Sequence, residues 1–231
     1  SIMKSVLNST FIKQTDIDAI TQARLGAAHT VLGLRALTSS GSLVISVLIP
    51  DADSIVIIEK KTQKPLATLI QVDAAGFFMA KLRRKKPFAY QLQVTRHGQT
   101  QLIEDASAFP STLGEMDIYL LNEGNHQKPY QKLGAHSHTL LDLNEQEVSG
   151  VTFTLWAPNA GSVSVIGDFN QWDGRIHPME NIVHHADSTQ ERRSGYWTIF
   201  VPNIQLGSLY KFELKDGQGN ALANKADPYG S

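Results

Sequence analysis

Cysteine is absent from all 231 residues. That excludes a disulfide framework, a thiolate zinc site and a cysteine nucleophile. Charge of one sign is missing too: 21 Lys and Arg stand against 22 Asp and Glu, a formal net charge of -1. A nucleic-acid binder normally shows a basic excess, so nucleic acid is not an expected partner. No apolar run approaches the roughly 18 residues that span a bilayer, and no signal-peptide core opens the chain. Neither a Gly-rich phosphate loop nor a Gly-x-Ser-x-Gly elbow occurs. The expectation is a soluble, cytoplasmic protein with no membrane partner and no cofactor.

What is present is enough apolar material for packed cores, with 42% hydrophobic and 19% charged residues. The length suits one large domain or two ordinary ones. A helix is expected within about residues 10–32, where Ile12, Ile17, Ile20 and Leu25 fall near helical spacing. Beyond it the pattern turns to short alternating runs cut by Gly, Pro, Asn and Asp, which predicts an all-β chain. Ile45, Val47 and Ile49 alternate with Ser46 and Leu48. Val151, Phe153 and Leu155 alternate with Thr152 and Thr154, and Tyr210, Phe212 and Leu214 with Lys211, Glu213 and Lys215. A period of two puts the first member of each set on a core face and the second on the opposite face.

The runs also repeat. Pro50-Asp51-Ala52-Asp53-Ser54-Ile55-Val56 parallels Pro158-Asn159-Ala160-Gly161-Ser162-Val163-Ser164. Gly76-Phe77-Phe78 parallels Gly195-Tyr196-Trp197, and Tyr90 to Val94 parallels Tyr210 to Leu214. Each Tyr-led run is followed by a Gly turn, at Gly98 and Gly217. The other reading, one larger β domain, would need these matches to recur in the same order by chance. Two β-sandwich domains of one type are expected, each near the roughly 100 residues such folds use. The division is residues 1–32 for the helical segment, 33–121 for the first sandwich, 122–148 for a connector, and 149–229 for the second sandwich.

The offset between copies is 108 at the Pro turn (158 minus 50) and 120 at the Tyr-led run (210 minus 90). The second copy has therefore gained residues, and the loop Gly167-Asp168-Phe169-Asn170-Gln171-Trp172-Asp173-Gly174 lies in that interval. Loops on rigid sheets carry function. An indole such as Trp172 can cover the CH face of a sugar while Asp168 and Asn170 bond its hydroxyls. Trp172 can equally be a packing anchor, in its own domain or against another. Lys211 alternates away from the core, where it is either a hydroxyl donor or simply solvated. Trp156, Tyr196 and Trp197 sit in strands and are expected to pack.

Other candidates resolve to ordinary roles. The basic run Lys81, Arg83, Arg84, Lys85 and Lys86 carries no RNA-binding signature and reads as a solvated loop or domain contact. His136, His138, His184 and His185 have no third ligand in a suitable context, so no metal is expected. Asp and Glu are scattered over turns, without the converging pair that glycoside chemistry requires. No catalytic site is expected in this chain.

The runs Gly150-Val151-Thr152-Phe153-Thr154-Leu155-Trp156-Ala157-Pro158-Asn159-Ala160, Val163 to Gly174, and Asp227-Pro228-Tyr229 resemble the family 48 carbohydrate-binding module of bacterial glycogen branching enzymes. His177-Pro178-Met179 suits that group better than debranching relatives. Leu113 to His126 and Tyr130 to His136 resemble the end of the extra N-terminal domain of longer branching enzymes, with its connector. The resemblance implies immunoglobulin-like sandwiches and a parent 1,4-α-glucan branching enzyme of glycoside hydrolase family 13. That parent moves an α-1,4-glucan piece to an O6 position, using an Asp and a Glu on a (β/α)8 barrel that needs roughly 250 residues. The chain is thus expected to be a non-catalytic N-terminal fragment whose partners are α-1,4-glucan, bound weakly, and the barrel of the same polypeptide. In comparable modules a loop Trp, a strand Lys and a second Trp after an Asp-Gly turn hold glucan. Trp172 and Lys211 match the first two, whereas Gly219-Asn220 stands where the second Trp would be. His29-Thr30-Val31 matches the family's early His-rich segment poorly and receives no role.

Overall fold

The computed structural model describes residues 14–22, 31–36, 41–109, 133–187 and 190–222, without the side chains of 21 and 183–194. Chain contacts divide it into two units. The first comprises residues 1–22, 29–109 and 140–148; the second takes the rest.

The first unit opens with helix α1, Gln14–Thr21. It is shorter than the periodicity suggests: Ile17 and Ile20 are buried as expected, whereas Ile12 and Leu25 lie outside the described residues. Eight strands follow: β1 Gly33–Ala36, β2 Leu43–Leu48, β3 Ser54–Glu59, β4 Pro65–Thr68, β5 Ile70–Asp73, β6 Phe77–Lys81, β7 Tyr90–Arg96 and β8 Gln99–Ile103. They form two four-stranded sheets, ordered β1-β2-β6-β5 and β4-β3-β7-β8. Leu43, Ile45, Val47 and Phe78 from one sheet meet Ile55, Ile57, Leu92 and Val94 from the other in a single core. That is a β-sandwich.

The second unit repeats the arrangement. Its strands are β9 Gly134–Leu141 and β10 Glu147–Trp156, whose adjoining ends (140–141 and 147–148) group with the first unit, then β11 Ser162–Gly167, β12 Glu180–Asp187, β13 Gln190–Pro202 and β14 Tyr210–Lys215. One sheet runs β12-β13-β10-β9 and the other pairs β11 with β14. Val151, Phe153, Leu155 and the fully buried Trp197 face Val163, Val165, Phe212 and Leu214 across the core. The internal repeat is visible in the pairings: β2 pairs with β6 as β10 does with β13, and β3 with β7 as β11 does with β14. The all-β, two-sandwich expectation holds. β9 lies inside the stretch read as connector and joins the edge of the second unit's larger sheet.

Two expectations fail on the outer faces. Alternation suggests that Ser46, Thr152 and Thr154 meet solvent, yet all three are buried. The threonines are tolerated there because their hydroxyls find partners: His138 Nδ1 lies 2.7 Å from Thr152 Oγ1, and Thr154 Oγ1 lies 3.5 Å from Thr198 Oγ1. Trp156 was expected to pack and is instead 53% exposed. It ends β10 on the side opposite Leu155, so alternation turns it away from the core. Tyr196 and Trp197 are buried as expected, with Trp197 Nε1 donating to Ala157 O at 3.0 Å. No helix among the described residues is long and apolar enough to cross a membrane.

Candidate functional site

The loop between β11 and β12 begins where β11 runs out at Gly167, and an ordered set of bonds gives it one shape. Residues Asp168–Asn170 make a 3-10 turn. Asn170 is 1% exposed and uses its whole amide on the loop. Its Oδ1 accepts from Gly167 N at 2.9 Å, while Nδ2 donates to Val165 O and to His177 Nδ1, both at 2.9 Å. Asn170 therefore holds the loop and offers no free amide to a ligand. Gly167 must be glycine: a Cβ there would lie 2.6 Å from Leu209 O and from the Phe169 ring.

After this turn the backbone enters the left-handed region twice, with φ +56° at Gln171 and +57° at Trp172. For a bulky side chain that conformation costs on the order of 1–3 kcal/mol and persists only where the surroundings impose it. Here Trp172 N donates to Gly167 O at 2.9 Å, and Trp172 Nε1 donates to Asp168 Oδ1 at 2.9 Å. The indole is thus fixed at both its backbone and its ring, with 40% of the residue exposed. Asp168 acts on the indole edge and keeps its second oxygen for other donors.

The far side of the loop is equally tied. Arg175 grips Asp173 through Nε at 2.9 Å and Nη2 at 2.6 Å. Partial burial pushes the Asp173 carboxyl up, but the combined Arg175 hydrogen bonds outweigh it and leave the pKa lowered. Val165 N donates to His177 O and Met179 N to Val163 O, laying residues 177–179 along β11. His177 packs on the Phe169 ring, centroids 5.6 Å apart, and burial pulls its pKa down to about 4.

Lys211 stands on the neighbouring strand. The register sets Gly167 opposite Tyr210 and Ile166 opposite Lys211, so the start of the Trp172 loop and Lys211 share one end of the β11–β14 pair. Lys211 is exposed, on the outward side as alternation requires. Two residues along that side, Glu213 lies against the returning loop, since a Cβ on Gly174 would sit 2.2 Å from its Oε1. Thus Lys211 and the start of the loop that carries Asp168 and Trp172 lie at one end of the β11–β14 pair, and the buried Asn170 braces that loop.

Beyond Lys215 the Asp216 carboxylate accepts from Gln218 N and Asn220 N, both at 2.9 Å. Gly219 turns at φ +85°, a conformation that an aromatic residue would occupy only under strain. No second indole stands there.

The remaining candidates take ordinary places. Arg84 pairs with Glu59 and lies 5.0 Å over the Phe88 ring, while Lys81, Arg83, Lys85 and Lys86 are exposed. His136 Nε2 bonds Leu133 O at 2.8 Å, and the side chains of His184 and His185 lie outside the described residues. The same holds for Asp227-Pro228-Tyr229, for 110–132 and for His29-Thr30. Sequence reading missed Leu206 and Leu209, both well exposed on the loop entering β14. The only sequence signal for them is two leucines around a Gly-Ser pair ahead of a strand.

Residues 132–230 match the model of carbohydrate-binding module 48, the isoamylase N-terminal domain. Residues 13–107 match the model of the N-terminal domain of the alpha-1,4-glucan branching enzyme GlgB. Among solved structures, the chain is similar to the catalytic module of the glycogen-degrading pneumococcal virulence factor SpuA in complex with an inhibitor (18% identity, 44% of this chain and 15% of that one, TM-score 0.27). It is also similar to type I pullulanase from Bacillus subtilis complexed with maltose (16% identity, 85% and 24% coverage, TM-score 0.29). Ligand-free PulA from Klebsiella pneumoniae is a third (16% identity, 87% and 20% coverage, TM-score 0.28). The chain spans 15% to 24% of the length of these three structures.

Proposed function

We infer the function from a chain that pairs two known domains: residues 13–107 belong to the branching-enzyme N-terminal domain family and residues 132–230 to carbohydrate-binding module family 48. The second domain binds α-1,4-glucan, as glycogen or its linear chains, and Trp172 is the platform. The chain serves as the N-terminal glucan-binding and positioning part of a 1,4-α-glucan branching enzyme. Segment transfer to O6 belongs to a (β/α)8 barrel of the same polypeptide, and no catalytic role falls to the residues described above.

The observation that carries this reading is the fixed indole. Trp172 is held in a strained backbone and bonded at Nε1, yet 40% of it is left in water. A pyranose presents an apolar CH face that such a ring covers without reorganising. The Lys211 ammonium donates to sugar hydroxyls, the free oxygen of Asp168 accepts from one, and Asn170 positions the loop. With one platform and no second indole, affinity is weak, on the order of millimolar. In affinity electrophoresis through a glycogen-containing gel, the chain is retarded and Trp172→Ala runs as it does without glycogen.

One observation favours a second reading. The left-handed Gly219 turn stands where a second platform would be, which fits a surface that docks on the barrel and acts as a spacer. Equal mobility of wild type and Trp172→Ala in the glycogen gel is the result that selects it.

A further inference from the structure

Large apolar side chains left in water are informative when they cluster at a site. Leu209 is 72% exposed, and Leu206, in the same short loop, is about half exposed. Neither is needed by the core of the second unit, which closes on Tyr210, Phe212 and Leu214. Leu209 immediately precedes β14, two residues before the exposed Lys211, at the same strand end. Its carbonyl touches Gly167, the residue whose own carbonyl accepts from Trp172 N. The backbones of Leu209 and Trp172 therefore both meet Gly167. Gly207, between the two leucines, turns at φ +104° with nothing within 4 Å of its Cβ position, so the loop is unencumbered.

The opposite direction carries Leu222, less exposed at 39%. Toward the end of β14 the outward side carries Glu213 against Gly174, then the tight Asp216 turn with glycine at 219. We propose that Leu209, supported by Leu206, is a second apolar contact for α-1,4-glucan, so that a bound chain runs from Trp172 across the start of β14 and away from the 216–220 turn. The inference rests on the reading that Trp172 binds glucan. It adds that the site distinguishes ligands by length: a disaccharide occupies Trp172 alone, whereas an oligomer of several units reaches Leu209.

Calorimetric titration of the whole chain with maltose and with maltoheptaose tests it, using wild type, Leu209→Ser, Leu209→Phe and Trp172→Ala. Leu209→Ser is expected to weaken maltoheptaose binding about fivefold, the effect of losing roughly 40 Å2 of apolar contact. Maltose affinity stays within about twofold of wild type, and Leu209→Phe restores maltoheptaose binding, as expected of replaced apolar contact. Because Leu209 is exposed, the variants should melt with wild type, which a thermal scan checks. If Leu209→Ser binds maltoheptaose like wild type while Trp172→Ala does not, the second contact is wrong and the Trp172 reading stands. If Trp172→Ala binds like wild type, or no form binds either sugar, both are wrong.

Discussion

At the scale of single residues, the account turns on why Trp172 sits where it does. A left-handed φ penalises any side chain with a Cβ, so the two ways of removing the indole differ. Trp172→Gly should be more stable than Trp172→Ala by about 1 kcal/mol in chemical denaturation, and neither should bind glucan. Equal stabilities would mean that the backbone is not held in the left-handed region. A second residue carries an unmet cost. The Tyr210 hydroxyl is buried without a hydrogen-bond partner among the described residues, while its ring packs edge-on against Phe153 at 4.8 Å. Tyr210→Phe keeps the ring contact and removes the orphaned group, so it should stabilise by about 1 kcal/mol. Trp172 was readable in the sequence as an aromatic in a polar loop, and Lys211 as an outward strand residue. The role of Asn170 was not: whether an asparagine faces a ligand or braces a turn depends on where its amide ends, and only three-dimensional placement decides that.

At the scale of elements, the loop from Gly167 to Met179 acts as one braced unit with Asn170 and His177 at its centre. The bonds to Gly167 N and Val165 O fix the orientation of the Asn170 amide, so His177 Nδ1 must accept, which requires a neutral imidazole. The folded pKa of about 4 lies below the ordinary 6.5, so the folded domain binds fewer protons than the unfolded chain between those values. Stability from this group is complete above about pH 6.5 and is lost as pH falls toward 4. Melting of the second unit should drop over that window, and His177→Gln should flatten the slope. A wild-type slope unchanged by the substitution would assign the acid sensitivity elsewhere. Asn170→Ala, which leaves Gly167 N and Val165 O unpaired, should cost about 2–4 kcal/mol. The strands themselves were legible, because a period of two and Gly or Pro punctuation are local signals. The burial of Thr152 and Thr154 was not, since alternation says which residues share a face but not whether water reaches it.

At the scale of the whole molecule, the described residues form two sandwiches, each with a core between its own sheets, as the internal repeat implies. The same strand pairings recur in both, whereas the loop that holds Trp172 occurs only in the second. The proposed glucan site therefore belongs to the second unit. Phe78→Ala should cost about 3–5 kcal/mol in the first unit's core while leaving sugar affinity within twofold. The most direct test of the central claim is a two-dimensional NMR titration of the indole N–H signals with maltoheptaose. There are three tryptophans, one buried and bonded to Ala157 O, one exposed at the end of β10, and Trp172. The account predicts that the Trp172 signal, identified by its loss in Trp172→Phe, moves saturably while those of Trp156 and Trp197 stay in place. A Trp172 signal that does not move at about ten millimolar sugar, well above the proposed affinity, would contradict it.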